Sequence, residues 1–286
     1  GNKQRFATEI TGHFPNNFGT YFEPFLGSGA IAATLKPSKA VCSDIFKPLI
    51  EIWQALKTEP ELLIKWYSDR RKRLESEDKT IVYEDIKASF NRKPNGADFL
   101  YLTRACYGGV IRFRKADGYM STPCGAHTPI NTTSFAKRVR EWHSRVRSIE
   151  FTRADYKESF SSAKRGDLIY CDPPYNFSQS ILYGSQAFKL EELFDEIKQA
   201  KAKGVCVALS IDGSKKSGNT VCNISLPDDV FEEEVFISAG GSMLRRFQMQ
   251  GQNMVTEEVA DRLLLTYRVE RKKKKIFSLL LSATYR

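Results

Sequence analysis

The sequence predicts an α/β fold: a Rossmann-like sheet of alternating strands and helices, interrupted by a mainly helical insert. Three observations carry this. The β-prone residues 20–25 run into Gly27-Ser28-Gly29 and then into a helical stretch at 31–35, so a strand turns through glycines into a helix. The strand–helix alternation stops after residue 56 and resumes at residue 148. Beyond that point residues 167–171 and 205–211 are largely apolar runs, as expected of strands buried on both faces.

The elements follow in order. Residues 39–44 read as a second strand ending on Asp44, and 47–56 as its helix. An acid closing the second strand after a glycine turn is how a nucleotide-binding sheet begins. Residues 62–77, 81–91 and 97–106 read as helices, the first two strongly charged. Residues 107–132, rich in Gly, Pro and Arg, read as loops or a hairpin. Residues 134–146 return to helix, with Phe135, Val139, Trp142 and Val146 on one stripe. The sheet pattern resumes with a strand at 148–152, just before Asp155, and a strand at 167–171 leading to Asp172-Pro173-Pro174-Tyr175. An amphipathic helix at 188–202 and strands at 205–211, 230–237 and 262–267 complete the pattern. The pattern divides the chain into a sheet-forming part, 1–56 with 148–267, an insert, 57–147, and a basic tail, 268–286.

Composition bounds the function. The net charge is +10, and it is unevenly placed. The insert holds 19 Lys and Arg against 11 Asp and Glu, the tail 7 against 1, and the remainder is mildly acidic. A phosphate backbone is the natural partner for such charge, although a solvated basic surface explains it equally well. No apolar run approaches the ~20 residues of a membrane span. No signal-peptide pattern opens the chain, and Gly1 in place of Met leads us to expect native residues ahead of it. The six cysteines, Cys42, Cys106, Cys124, Cys171, Cys206 and Cys222, form no C-x-x-C pair, which suits a reducing cytoplasm. Cys124 and His127 have a metal-like spacing but lack two further ligands, so no metal is expected. The three histidines, His13, His127 and His143, form no hydrolase motif.

Two motifs carry chemistry. Gly27-Ser28-Gly29 lets a ligand approach the backbone at a helix N-terminus. The spacing lacks the third glycine of the dinucleotide fingerprint, and Glu23 would repel a pyrophosphate, so a nucleoside without phosphates fits better than NAD. Asp44 is placed to accept ribose hydroxyl hydrogens, or else caps the next helix. Asp172-Pro173-Pro174-Tyr175 places a carboxylate, a rigid turn and an aromatic ring at a strand end. Such a corner suits a flat heterocycle bearing an exocyclic amine.

Together, Phe22-Glu23-Pro24-Phe25-Leu26-Gly27-Ser28-Gly29-Ala30 and Asp172-Pro173-Pro174-Tyr175, in that order around a long insert, resemble the S-adenosylmethionine-dependent amino-methyltransferases of DNA. The order is similar to that of the Dam-type (alpha group, D12 class) adenine-N6 enzymes, and the likeness extends through Tyr267. Gly1-Asn2-Lys3 resembles the end of their N-terminal motif, and Ser242-Met243-Leu244-Arg245-Arg246 and the residues 261–267 resemble their late motifs.

The resemblance implies a class I methyltransferase sheet with an inserted target-recognition domain. It implies that Lys3, Glu23, Pro24, Phe25, Gly27, Ser28 and Gly29 hold the methionine end of S-adenosylmethionine, that Asp44 binds its ribose, and that Asp155 and Tyr156 border its adenine. Asp172 would lie between cofactor and target base, with Pro173, Pro174 and Tyr175 completing the catalytic corner. Phe188 and Phe177 are further aromatic candidates, or core residues. In the insert, Tyr107-Gly108-Gly109 and Arg112 through Gly125 resemble the family's recognition hairpin. Arg112 would read a guanine edge and Tyr107 would wedge into the base stack, and Arg114, Lys115 and Arg138 join them as candidate DNA contacts. The family often has Tyr-Asn-Gly where this chain has Tyr107-Gly108-Gly109, so a G-A-T-C target does not follow. Pro123-Cys124 lies in the recognition segment and not beside the glycine turn, so it does not read as a cytosine-C5 nucleophile.

The implied activity is methylation of adenine N6 in a base flipped out of duplex DNA, with a cognate restriction endonuclease as a candidate partner. Cytosine-N4 methylation, a structured RNA substrate and a catalytically inactive DNA-binding relative are the alternatives.

Overall fold

The computed structural model describes residues 3–174, 188–215, 225–241 and 258–269. A 3-10 turn at Lys3–Arg5 and α1 (Ala7–Thr11) precede β1 (Tyr21–Glu23), α2 (Ala30–Leu35), β2 (Ala40–Asp44) and α3 (Lys47–Thr58). Four helices follow before the next strand: α4 (Pro60–Lys72), α5 (Lys79–Arg92), α6 (Gly96–Ala105) and α7 (Thr132–Arg145). The chain then returns through β3 (Ile149–Arg153), α8 (Tyr156–Ser162), β4 (Leu168–Cys171), α9 (Leu190–Lys203), β5 (Cys206–Lys215), β6 (Glu233–Gly241) and β7 (Glu258–Leu265).

Among the described residues the strands form one seven-stranded sheet in the order β3-β2-β1-β4-β5-β7-β6. The first five are parallel, and β7 runs antiparallel between β5 and β6. β1 pairs with β2 on one side and β4 on the other, so the strand order reverses there. Ligands of open α/β sheets bind at the carboxyl ends of the strands beside such a reversal. Glu23 ends β1 and Asp172 follows β4 at that place.

Both faces of the sheet are covered, and strand side chains alternate between them. Tyr21, Leu168 and Tyr170 join one apolar cluster, while Phe22, Ile169 and Cys171 join the other, under α8 and α9. The first cluster continues through Trp53 of α3 into Tyr67, Val82, Phe99 and Phe135 of α4 to α7, so those helices share a core with the sheet. Trp53 is the junction: it stacks on Phe151 of β3 at 5.3 Å and meets Trp142 of α7 at 5.8 Å between ring centroids.

Three of these helices begin on side chains that satisfy their free N–H groups. Asp78 accepts from Thr80, Asn95 from Asp98, and Asn131 from Ser134, each cap worth ~1 kcal/mol. Buried Asp98 then accepts hydrogen bonds from Arg70 at 2.8 Å, Ser89 at 2.9 Å and Asn95 at 2.9 Å, which fastens α4, α5 and α6 together.

The strands and longer helices fall where the hydrophobic pattern puts them, with three differences. The helix expected over 62–77 ends at Lys72 and tightens into a 3-10 turn at Arg73–Glu75. The strands expected at 205–211 and 262–267 are longer, reaching Lys215 and starting at Glu258, and the strand expected at 230–237 lies at Glu233–Gly241. Two further helices, α1 and α8, are five and seven residues long, too short to display a 3.6-residue period. No helix among the described residues is long and apolar enough to cross a membrane.

Candidate active site

Three charged side chains from distant parts of the sequence meet at the β1–β4 reversal. Lys3 Nζ lies 3.4 Å from Asp172 Oδ1, and Lys3 is only 8% exposed. Glu23 is 2% exposed. Its Oε2 accepts from the Tyr21 hydroxyl at 2.8 Å and from the Ala32 N–H, in the first turn of α2, at 3.0 Å. Burial, reinforced by the charge of Asp172, pushes the Glu23 carboxyl up to about 8 against the opposing pull of those hydrogen bonds. A positive charge brought beside a buried carboxyl raised in this way favours its ionised form, which makes the site receptive to a cationic ligand. Pro173 is buried and Pro174 half-buried behind Asp172. Tyr170, two residues before it, bonds through its hydroxyl to Ser210 Oγ at 2.9 Å and braces β4 against β5.

The glycine turn stands next to this group. Gly27 and Gly29 have φ of +46° and +59°, the left-handed region in which a side chain is strained. The two glycines differ in their reasons. Among the described residues a Cβ on Gly27 would meet only the Phe25 carbonyl, at 3.9 Å, which leaves room for a ligand. A Cβ on Gly29 would lie 2.7 Å from the Trp53 ring, so that glycine serves packing. Trp53 also donates from Nε1 to the Gly27 carbonyl at 3.2 Å and fixes the turn. Ser28, between them, is exposed, and Pro24 is buried.

Asp44 ties the second strand to the same turn. Its Oδ1 accepts from the Phe46 N–H at 2.9 Å and its Oδ2 from the Gly27 N–H at 3.4 Å. Burial pushes its carboxyl above the usual range, and the backbone hydrogen bonds oppose this. The carboxylate is thus aimed by two local bonds but does not cap α3, whose N-cap is Phe46. Ile45, next in sequence, is 59% exposed, an apolar surface at the strand end beside a polar one.

Asp155 is exposed and caps α8 in a capping box with Glu158. Tyr156 packs against Phe25 in a stacked pair at 5.4 Å, and Phe188 meets Phe25 and Tyr156 edge-on at 5.7 and 5.9 Å. Phe188 is therefore in contact with the ring of the motif residue Phe25. Tyr175, Phe177, residues 242–246 and the basic tail from Arg271 lie outside the described residues.

The recognition candidates lie elsewhere in the chain, on a hairpin between α6 and α7 and on α7 itself. The hairpin pairs at Cys106 with Cys124 and at Phe113 with Met120. Tyr107 is 45% exposed, and Arg112, Lys115 and Arg138 are exposed. The guanidinium of Arg114 is engaged: it bonds to Asp117 at 3.1 and 2.6 Å and lies over the Tyr119 ring at 4.3 Å. That of Arg112 has no hydrogen-bond partner among the described residues.

Tyr21, Ile45 and Trp53 belong to this site without being motif residues. Tyr21 is legible in hindsight, since residues two apart on a strand share a face and Glu23 is its neighbour. Trp53 gives no local signal, because its role is a contact with a turn far back in sequence.

A sequence profile of the D12 class N6 adenine-specific DNA methyltransferases matches residues 1–235. The chain belongs to that family. It is an adenine-specific DNA methyltransferase, and its sheet, with β7 inserted antiparallel, is the Rossmann-like methyltransferase arrangement. The methyltransferase is 29% identical over 230 residues to a DNA adenine methylase of Vibrio cholerae, covering 73% of this chain and 78% of that one. It is 27% identical over 231 residues to a type II methyltransferase of Lactococcus lactis subsp. cremoris, covering 75% and 79%. A retron Ec67 DNA adenine methylase of Escherichia coli is 31% identical over 183 residues, with 62% and 61% covered.

Proposed function

We propose that this methyltransferase transfers a methyl group from S-adenosylmethionine to N6 of an adenine flipped out of duplex DNA, at a site chosen by residues 57–147. The convergence of Lys3, Glu23 and Asp172 at the β1–β4 reversal is the observation that carries the reading. The residues present fit the cofactor. Gly27 leaves room for close approach, Asp44 offers a carboxylate to the ribose hydroxyls, Ile45 offers an apolar face to adenine, and buried Glu23 suits a cationic group. In this reading Lys3, Pro24, Phe25 and Ser28 complete that wall, Gly29 shapes the turn by packing on Trp53, and Asp155 and Tyr156 border the adenine.

When bound, S-adenosylmethionine supplies an electrophilic methyl on a sulfonium. The remaining work falls to the chain. The lone pair of the adenine amine is delocalised into the ring, so N6 is a poor nucleophile. The Asp172 carboxylate and the Pro173 carbonyl each accept one N6 hydrogen, which favours a pyramidal nitrogen and turns its lone pair toward the methyl. Alignment and fixed charges, set before reaction, are the main levers. The N–C bond would form as the methyl–sulfur bond breaks, its electron pair staying on sulfur to leave S-adenosylhomocysteine, and the surplus proton on N6 would leave to solvent. Tyr175 stacks on the extruded base, and such stacking contributes ~1–3 kcal/mol toward a flipping cost of a few kcal/mol. Tyr107 occupies the gap left in the duplex, Arg112 contacts a base edge, and Arg114, Lys115 and Arg138 contribute positive charge toward phosphates.

The activity fits a solitary methylase or one paired with a restriction endonuclease; the Vibrio relative is named a DNA adenine methylase and the Lactococcus relative a type II methyltransferase. Incubating unmethylated genomic DNA with the protein and S-adenosylmethionine, then mapping modified bases by single-molecule sequencing, tests the proposal. N6-methyladenine within one recurring motif is expected. Methylated cytosine, or no transfer by folded protein, overturns it.

A further inference from the structure

The recognition hairpin has little ladder of its own, and helix α5 supplies what the ladder lacks. The returning arm, 120–126, has backbone groups that another strand would ordinarily satisfy. Three side chains of α5 take them instead. Asn91 behaves as a strand neighbour, accepting from the Met120 N–H at 2.7 Å and donating to its carbonyl at 3.2 Å. The Tyr83 hydroxyl donates to the Thr122 carbonyl at 2.8 Å. Lys79 Nζ donates to the carbonyls of Gly125 and Ala126 at 2.7 Å each. These residues stand on one row of the helix, at spacings of four and eight. The row is roughly 18 Å long at helical rise, and the arm roughly 20 Å at extended rise, so helix and arm run alongside each other in opposite directions.

Thr122 passes this hold across the hairpin. It is 1% exposed. Its Oγ1 accepts from the Arg112 N–H at 2.7 Å and donates to the Val110 carbonyl at 3.1 Å. The Arg112 carbonyl in turn accepts from the Ser121 N–H at 2.9 Å. Two hydrogen bonds thus connect the Tyr83 hydroxyl to the backbone of Arg112, whose guanidinium is exposed.

We infer that Tyr83 of α5, acting through Thr122, is a positioning residue for target specificity, with Asn91 and Lys79 holding the same arm at Met120 and at Gly125 and Ala126: together they set where Arg112 meets the base edge. The inference rests on the reading of Arg112 as a base contact. A base edge is read by directional bonds that weaken steeply with misalignment, whereas a phosphate tolerates a displaced cation. Loosening the hairpin should therefore cost discrimination more than overall binding.

The test compares wild type, Arg112→Ala, Tyr83→Phe, Thr122→Val and Thr122→Ser on unmethylated genomic DNA with S-adenosylmethionine. Sequencing gives, for each variant, the ratio of methylation at the preferred motif to that at motifs differing by one base pair. Tyr83→Phe and Thr122→Val should each lower that ratio roughly tenfold at a single motif position, with the same melting temperature within a few degrees and unchanged cofactor affinity by calorimetry. Thr122→Ser, which keeps the hydroxyl, should restore it. In an Arg112→Ala background Tyr83→Phe should produce no further loss. A rate that falls uniformly across all motifs, or a Tyr83→Phe effect that persists in the Arg112→Ala background, overturns the inference. Tyr83→Phe removes one oxygen and keeps the ring, so it decides the matter even where Thr122→Val fails to fold. An Arg112→Ala chain with unaltered discrimination would instead sink the reading of Arg112, a separate result.

Discussion

Lys3 Nζ and Asp172 Oδ1 face each other across 3.4 Å, one from the start of the chain and one from the corner after β4. The ammonium is nearly buried, so the pair is weakly screened and fixes where the carboxylate points. An acceptor that must meet an amine hydrogen in a set direction depends on such a hold. Replacing Lys3 by Met should lower kcat about 10- to 100-fold, the worth of one charge-assisted hydrogen bond of ~1.5–3 kcal/mol. DNA affinity should stay the same, and Lys3→Arg should recover part of the rate. An unchanged kcat in Lys3→Met would remove the pair from the mechanism.

Glu23 predicts a pH dependence. Its folded-state carboxyl is pushed up to about 8, whereas an unfolded glutamate titrates near ~4.3. The folded chain therefore binds the extra proton between those values, and the stability this gives is present at low pH and lost as pH rises through about 8. Glu23→Gln does not titrate, so its melting temperature relative to wild type should climb across that interval. Because a cationic ligand favours the ionised form, affinity for S-adenosylmethionine should rise with pH through the same range in wild type and stay flat in Glu23→Gln. Calorimetric titrations that are equally flat in both proteins would contradict this.

Gly29 and Gly108 separate two effects of a left-handed glycine. Both have positive φ, +59° and +64°, but only Gly29 has a ring against its missing Cβ. Gly108→Ala should cost ~1–2 kcal/mol of stability from backbone strain alone. Gly29→Ala adds overpacking of ~1–3 kcal/mol and should displace Trp53 from the Gly27 carbonyl. Urea denaturation should rank Gly29→Ala below Gly108→Ala, and equal losses would show that the Trp53 contact yields freely.

The Tyr101 hydroxyl is fully buried with no hydrogen-bond partner among the described residues, and burial pushes its pKa up to about 12. Tyr101→Phe removes an unpaired polar group from the core of the helical region. Its stability should be equal to or higher than wild type, by up to ~1 kcal/mol. A clear loss in a thermal melt would reveal a partner for that oxygen.

The sheet and the corner were legible because Gly27, Gly29, Asp44, Pro173 and Pro174 declare backbone geometry by residue type, each at the end of an apolar run. The hairpin was legible in outline through its glycines and prolines. Contacts between distant segments were not. Nothing local announces that Lys3 reaches Asp172, that Trp53 occupies the space Gly29 leaves, or that Asn91 completes the edge of Met120. Asp155 shows a nearer limit. Asp155 and Glu158 spell a capping box, a sequence signal for α8, yet an acid past a strand end also suits a ligand, and residue type alone does not separate the two.

The proposed mechanism turns on Asp172 directing methyl transfer to adenine N6. Its most direct test is digestion of unmethylated duplex DNA to nucleosides after incubation with S-adenosylmethionine and either wild type or Asp172→Ala, with the products identified by mass. Wild type should yield N6-methyladenine, and the variant should yield none while still binding DNA. Methylated cytosine from wild type, or N6-methyladenine formed at the wild-type rate by a folded Asp172→Ala chain, would contradict it.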